Sequence, residues 1–264
     1  MIAPPTHQID SPFTERLPKK GGMRSKPLVY AAAAALFVAA PAVGAEIRAN
    51  PKAVVELFTS QGCSSCPKAD AMFAELGERG DLIALAWHVD YWDYIGWPDT
   101  FGAKANSDRQ RAYAQSLGSS RIYTPQVVVN GSKGVVGSRD GEVSGAIAAA
   151  RLELPVGLRL GGQMLEVSIA PRAGGAEAIV WLVTFRDHSS VQIERGENAG
   201  KTVDYTQIVT GKQMLGMWDA AAGTHLKLPL AELTADGSNG AVILVQSDMN
   251  GLPGPILGAA SVQL

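Results

Sequence analysis

The whole chain of 264 residues contains two cysteines, and only two serines separate them: Cys63-Ser64-Ser65-Cys66. An apolar run, Ala53-Val54-Val55-Glu56-Leu57-Phe58, precedes the pair. Pro67 follows it, and then a helix-like stretch from Lys68 to Arg79. Strand, short loop, C-x-x-C and helix is a layout in which a helix N-terminus lowers the pKa of a thiol. Three readings of the pair compete: a working dithiol/disulfide, a metal clip, or a passive staple. A C-x-x-C bridge closes a very short loop and removes little unfolded-state entropy. Stability is therefore a poor reason for this spacing, and the redox reading leads.

The N-terminal part reads as a targeting segment. Arg24 and Lys26 precede the apolar run Leu28 to Ala40, and Ala42-Val43-Gly44-Ala45 supplies small residues for cleavage before Glu46. This is the anatomy of a secretory signal peptide. The apolar run is shorter than the roughly 20 residues a membrane span needs, so no stable membrane anchor is expected after cleavage. Residues 1–22 are Pro-rich and polar, and Met23 reads as the functional start. The expected location is periplasmic or secreted, an oxidising compartment in which a disulfide persists. Net charge is −2 and the apolar fraction 46%. No basic stripe argues for nucleic acid.

Beyond residue 45 two halves read differently. Over residues 46–154 strands alternate with helices: Lys52–Thr59, Pro67–Arg79, Asp81–Val89, Ala103–Leu117, Gln126–Val129, Lys133–Val136 and Asp140–Leu154, in the order β-α-β-α-β-β-α. Asn130-Gly131 marks a hairpin turn between the two short strands. Over residues 155–264 the helical periodicity stops. Short apolar runs such as Val156–Leu160, Leu165–Ala170, Ala178–Arg186, Thr202–Val209 and Val242–Gln246 alternate with Gly, Asn and Asp clusters. This predicts a small all-β, sandwich-like domain.

The β-α-β-α-β-β-α order with C-x-x-C before the first helix resembles the thioredoxin fold. Longer segments narrow the resemblance. They are Val54 to Pro67, Val89-Asp90-Tyr91-Trp92-Asp93-Tyr94-Ile95-Gly96-Trp97, Arg109-Gln110-Arg111-Ala112-Tyr113, and Tyr123-Thr124-Pro125-Gln126-Val127-Val128-Val129-Asn130-Gly131. Together they are similar to the secreted bacterial thioredoxin-like family catalogued as a domain of unknown function (DUF1223). The family prescribes no reaction. The thioredoxin-like fold implies that Pro125 is cis and packs against the disulfide, although only about 5–6% of X-Pro bonds in folded proteins are cis. It also implies a buried carboxylate that takes the proton of the second cysteine, and Glu56 is the nearest match by position. The rival reading of Glu56 is a strand-end glutamate paired at the surface or with Lys68.

On this reading the expected activity is thiol–disulfide exchange. Cys63, at the exposed end of the loop, attacks, and Cys66, deeper at the helix start, resolves. No cofactor is required. The partners are protein or small-molecule thiols and an external redox partner, since no third cysteine exists in the chain. Trp87, Tyr91, Trp92 and Trp97 follow the second strand, on the edge where ligands of parallel sheets bind. With Thr124 they form an expected substrate wall; the competing reading is a loop core. If His88 faced the cysteines, the three would make a soft metal site, and the protein would be a ligand- or copper-binding module with a structural disulfide. Arg195-Gly196-Glu197-Asn198-Ala199-Gly200-Lys201 is expected to be a solvated turn, with docking over the active face as its rival.

Overall fold

The computed structural model describes residues 45–175 and 177–264. The proposed signal peptide and the extension before it lie outside the described residues.

The first half forms the elements its periodicity predicts. Strand β1 (Glu46–Ala49) leads to β2 (Ala53–Thr59), α1 (Pro67–Gly77), β3 (Leu82–His88), α2 (Lys104–Ser116), β4 (Gln126–Val129), β5 (Lys133–Val136) and α3 (Asp140–Ala149). Both β2 and β3 are buried along their whole length and pair in parallel. Continuous apolar runs suit such strands because both faces are covered. Val55, Leu57, Ala84 and Ala86 pack towards Phe73 and Leu76 of α1 and Val143 and Ile147 of α3. The alternate residues, Val54, Phe58, Ile83, Leu85 and Trp87, face Tyr113 of α2 on the other side. The β4–β5 hairpin turns through the three residues Asn130-Gly131-Ser132, of which Asn130 (φ 47°) and Gly131 (φ 63°) are left-handed.

The second half contains β6 (Val156–Gly161), β7 (Met164–Ile169), β8 (Ala178–Gln192), β9 (Thr202–Met217), β10 (Thr224–Pro229), α4 (Leu230–Leu233), β11 (Gly240–Met249) and β12 (Leu252–Gln263). The separate sandwich expected here is corrected in its topology. Strands β9, β8, β11, β12 and β1 extend the first half's sheet, giving nine strands in the order β1-β12-β11-β8-β9-β3-β2-β4-β5. The seam is the parallel pair β3–β9, registered at Ala86 and Ile208. Only β10-β7-β6 form a second sheet. It packs Leu165, Val167 and Ile169 onto Val180, Leu182, Ile243 and Val245 of the large sheet, so a sandwich exists locally with one layer shared. The described residues belong to one compact unit. Among them no helix is long and apolar enough to cross a membrane.

Candidate active site

The site grows from the end of β2. After Thr59 the chain turns, with Cys63 N–H donating to Ser60 O (3.1 Å) and Cys66 N–H to Cys63 O (3.2 Å). Cys66 is the N-cap of α1 and Pro67 occupies its first turn, a position where proline's missing N–H costs nothing. Cys63 and Cys66 are joined by a disulfide, their Cα atoms 5.4 Å apart. The positive end of the α1 dipole therefore faces the pair and favours a thiolate there.

Three segments close over this loop. Thr124-Pro125 is cis, as the resemblance implied. Ser65 Oγ lies 3.4 Å from Cys63 Sγ and donates to Thr124 O at 3.5 Å. Trp92 Nε1–H donates to Thr124 Oγ1 (2.7 Å). The Trp92–Ile95 segment packs on Gly62, where a Cβ would stand 3.1 Å from Trp92 Cβ. Trp97 Nε1–H donates to Gln61 Oε1 (2.9 Å). Tyr91, half-buried, donates to Gln110 Oε1 (3.1 Å).

Four expectations need correction. Cys63 is not at an exposed end: it is 1% exposed and Cys66 0%, while Ser64 and Ser65 carry the exposed surface of the loop. Trp87 belongs to the core, 1% exposed and stacked near Phe58, so the wall consists of Tyr91, Trp92 and Trp97. Glu56 is taken up by a strut. Arg109 Nε and Nη2 both donate to its Oε1 (2.9 and 2.7 Å) and Tyr113 OH donates to its Oε2 (2.5 Å), all buried. Its side chain leaves β2 three residues before the strand ends, about 10 Å along the strand from Thr59. Lys68, its surface rival partner, pairs with Asp140 instead. Finally, the 195–201 turn is not merely solvated. Asn198 is buried, and its Nδ2 donates to both Gln61 O and Cys63 O (2.9 Å each).

His88 turns into the core. Its Nδ1 sits 2.8 Å from Asp99 Oδ2, and its ring meets Phe101 and Tyr205 edge-on. Burial alone would lower its pKa, but the Asp99 carboxylate, with the Asp70 charge, more than offsets this and raises it above the ordinary imidazole value. Asp99 is held below the usual carboxylate range: burial opposes ionisation, and His88 with the Gln61 and Phe101 N–H groups overcomes it. Among the described residues no three His, Cys, Asp or Glu side chains gather as metal donors.

A second buried carboxylate belongs to Asp70. It lies on α1 four residues after Cys66, hence on the same helix face one turn away. It is 5% exposed, accepts from Thr59 Oγ1 at Oδ1 (2.7 Å), and its Oδ2 has no partner. Burial pushes its pKa up to about 7, against the pull of the Thr59 hydroxyl and the His88 charge. The Cys66/Asp70 spacing was available as a sequence signal, an aspartate among Ala69, Phe73 and Leu76 on a buried stripe. Asn198 had no local signal, being 135 residues beyond Cys63.

Replacing Asn198 by Ala removes the side-chain donor from Gln61 O and leaves Cys63 O with the Cys66 N–H alone, at about 1–3 kcal/mol by the usual penalty for an orphaned group. The expected outcome is a disulfide reduced several-fold faster by dithiothreitol, with a lower urea midpoint. Equal reduction rates in the two proteins would show that the clamp does not govern access.

A family model described as a protein of unknown function (DUF1223) matches residues 54–246. Among solved structures, protein AGR_C_4864 from Agrobacterium tumefaciens is 34% identical, covering 81% of this chain and 95% of that one at a TM-score of 0.73. HBP35 of Porphyromonas gingivalis is 14% identical over 81% of this chain and 76% of that one, at a TM-score of 0.53, a likeness of fold alone. No curated protein matches the chain.

Proposed function

The chain belongs to the DUF1223 family, and within it we propose that the protein is an exported thiol–disulfide oxidoreductase acting on protein or small-molecule thiols. The observation that carries this reading is a Cys63–Cys66 disulfide at the N-terminus of α1, beside Thr124-Pro125, with the buried Asp70 one turn behind Cys66. Its location rests on residues 23–45 of the sequence.

In the reducing direction the Cys63 thiolate attacks one sulfur of a substrate disulfide. A Cys63–substrate bond forms, and the other substrate sulfur leaves as a thiolate and takes up a proton. Cys66 then passes its proton to ionised Asp70 and attacks Cys63 Sγ. The intramolecular disulfide forms and the second substrate thiolate leaves, to be protonated in turn. Two electrons have moved from the protein dithiol to the substrate. The reverse sequence oxidises a substrate dithiol, and an external redox partner resets the pair in either case. Tyr91, Trp92, Trp97 and Thr124 line the approach. Because Cys63 is covered, substrate enters where the exposed Ser64 and Ser65 meet Trp92 and Thr124.

The direct test is titration of the reduced protein by thiolate absorbance, with equilibration against glutathione. One thiol is expected to titrate well below the free-cysteine value of about 8.5, with a measurable dithiol/disulfide equilibrium. Thiols that titrate at or above that value, with no exchange, sink the reading.

Asp70 adds a stability test with a defined sign. Its folded pKa of about 7 lies above the ordinary value of 3.8. Between those two values the folded state holds a proton that the unfolded state has lost. Stability therefore falls as pH rises through this window, by an amount on the order of 4 kcal/mol in full at 1.36 kcal/mol per unit. Asp70→Asn should remove most of that decline, so that variant and wild type diverge in urea midpoint at pH 8 more than at pH 5. Parallel profiles would remove Asp70 from the site's proton chemistry.

A further inference from the structure

A cleft of about 880 Å³ lies away from the disulfide, between α2 and strands β8, β9 and β11. Its size suits a small molecule, for which pockets of about 300–1,000 Å³ are usual. Two indole rings, Trp87 and Trp181, and the aliphatic Ile208 and Val209 line it, with Arg109, Lys212 and Gln246 as polar groups.

The charges that line the cleft are unevenly paired. Arg109 is neutralised by Glu56. Lys212 places Nζ 3.5 Å from the centroid of the Trp181 ring and makes no ion pair among the described residues. Two lining cations are left without an ion pair among the described residues: Lys212, on an aromatic surface, and Arg186, whose Nε donates to Gly237 O. Burial in the cleft, and then the Arg109 charge, pull the Lys212 ammonium down to about 8, as expected of a cation that lacks a counter-ion. At the rim the acids are otherwise engaged: Asp108 is held by Lys104 and Arg111, and Asp248 accepts the Gly251 N–H. Asp236 stands near Arg186, which donates to Gly237 O.

A second orphan lies in the same wall. Trp87 is 1% exposed and its Nε1–H has no acceptor. An unsatisfied buried donor is rare and costs about 1–3 kcal/mol unless a partner arrives. The Arg109 guanidinium lies over this ring, its Cζ 4.7 Å from the centroid.

We infer that this cleft binds a small amphipathic monoanion, an apolar or aromatic body carrying one carboxylate. The carboxylate accepts from Lys212, and the body lies between Trp181 and the aliphatic floor. The site shares no side chain with the thiol chemistry, so binding and exchange are separable by measurement.

The test uses the full chain with its disulfide intact and anilinonaphthalene sulfonate as the fluorescent probe. Phenylbutyrate is expected to displace the probe saturably at one site, at least about tenfold more tightly than neutral phenylbutanol, the value of one charge-assisted contact. Lys212→Met should erase that preference without moving the urea midpoint, because Lys212 stands exposed at the mouth. Ala105→Trp, on the exposed α2 wall, should block both ligands. The inference is overturned by absence of saturable phenylbutyrate binding, by equal displacement with the alcohol, or by binding that survives both substitutions.

Discussion

Cys66→Ala is expected to leave Cys63 covalently joined to partner thiols, and Cys63→Ala is expected to capture nothing. The asymmetry follows from position. Both sulfurs are buried, but Cys66 is the N-cap of α1, and its backbone carbonyl is occupied by the Ala69 and Asp70 N–H groups. Cys63 lies in the turn, its Sγ 3.4 Å from Ser65 Oγ and its carbonyl held by the Asn198 clamp. Without Cys66 the mixed disulfide on Cys63 has no internal thiol to resolve it, since no other cysteine exists in the chain. Periplasmic extracts quenched with acid and run without reductant should show higher-mass adducts for Cys66→Ala that collapse on reduction. If neither variant forms adducts, or if Cys63→Ala forms them equally, the assigned roles fail. Trp92→Ala in the Cys66→Ala background should raise the yield, because Trp92 covers the loop through Gly62 and Thr124.

The second large effect is on stability. Arg109→Met leaves the Glu56 carboxylate buried with Tyr113 OH as its remaining donor. Removing one partner of a buried pair costs about 3–5 kcal/mol. At about 2–4 °C per kcal/mol for a chain of this size, the melting temperature should drop by roughly 6–20 °C. The guanidinium also stacks 4.7 Å from Trp87 and 4.9 Å from Tyr113 and contacts Gln246 of β11 at 3.3 Å. The strut thus ties β2, α2 and β11 together. Converting both residues, Glu56→Met with Arg109→Met, should recover much of the loss, because a buried pair replaced by apolar groups is often neutral. A single variant that melts within 2 °C of wild type, or a double variant as unstable as the sum of the singles, contradicts the strut.

The contrast between Glu56 and Asp70 shows what a sequence position conveys. Glu56 interrupts an apolar strand, and the pattern marks it as a buried carboxylate needing a partner. The pattern does not say which partner, because strand periodicity assigns a face and not a neighbour. Arg109 supplies the charge from 53 residues away. Asp70 was legible through helical spacing alone, since residues four apart share a face, yet its orphaned Oδ2 depends on Thr59, His88 and Asp99 converging from three other segments. The same limit applies to the aromatic run: alternation in β3 puts Trp87 on the α2 face, and only packing separates it from Trp92.

For the sheets the difference is one of edges. Apolar runs and turn residues locate most of the strands because those are properties of neighbouring residues. Whether β9 closes a second domain or joins β3 is decided by which exposed edge it meets, and here the meeting is the Ala86–Ile208 pair.

By itself the sequence determined a Cys63–Cys66 pair between a buried strand and the first turn of a helix, with Thr124-Pro125 before the hairpin, because strand, cap and turn preferences act over a few residues. The tertiary structure decided what surrounds that pair. It buried Cys63, packed Trp92 on the neighbouring Gly62, and drew Asn198 across 135 residues onto the loop. It also gave Glu56 to Arg109 and left Asp70 beside Cys66. Those outcomes depend on desolvation and on hydrogen bonds between distant segments, which exist only once the nine-stranded sheet has brought the segments together.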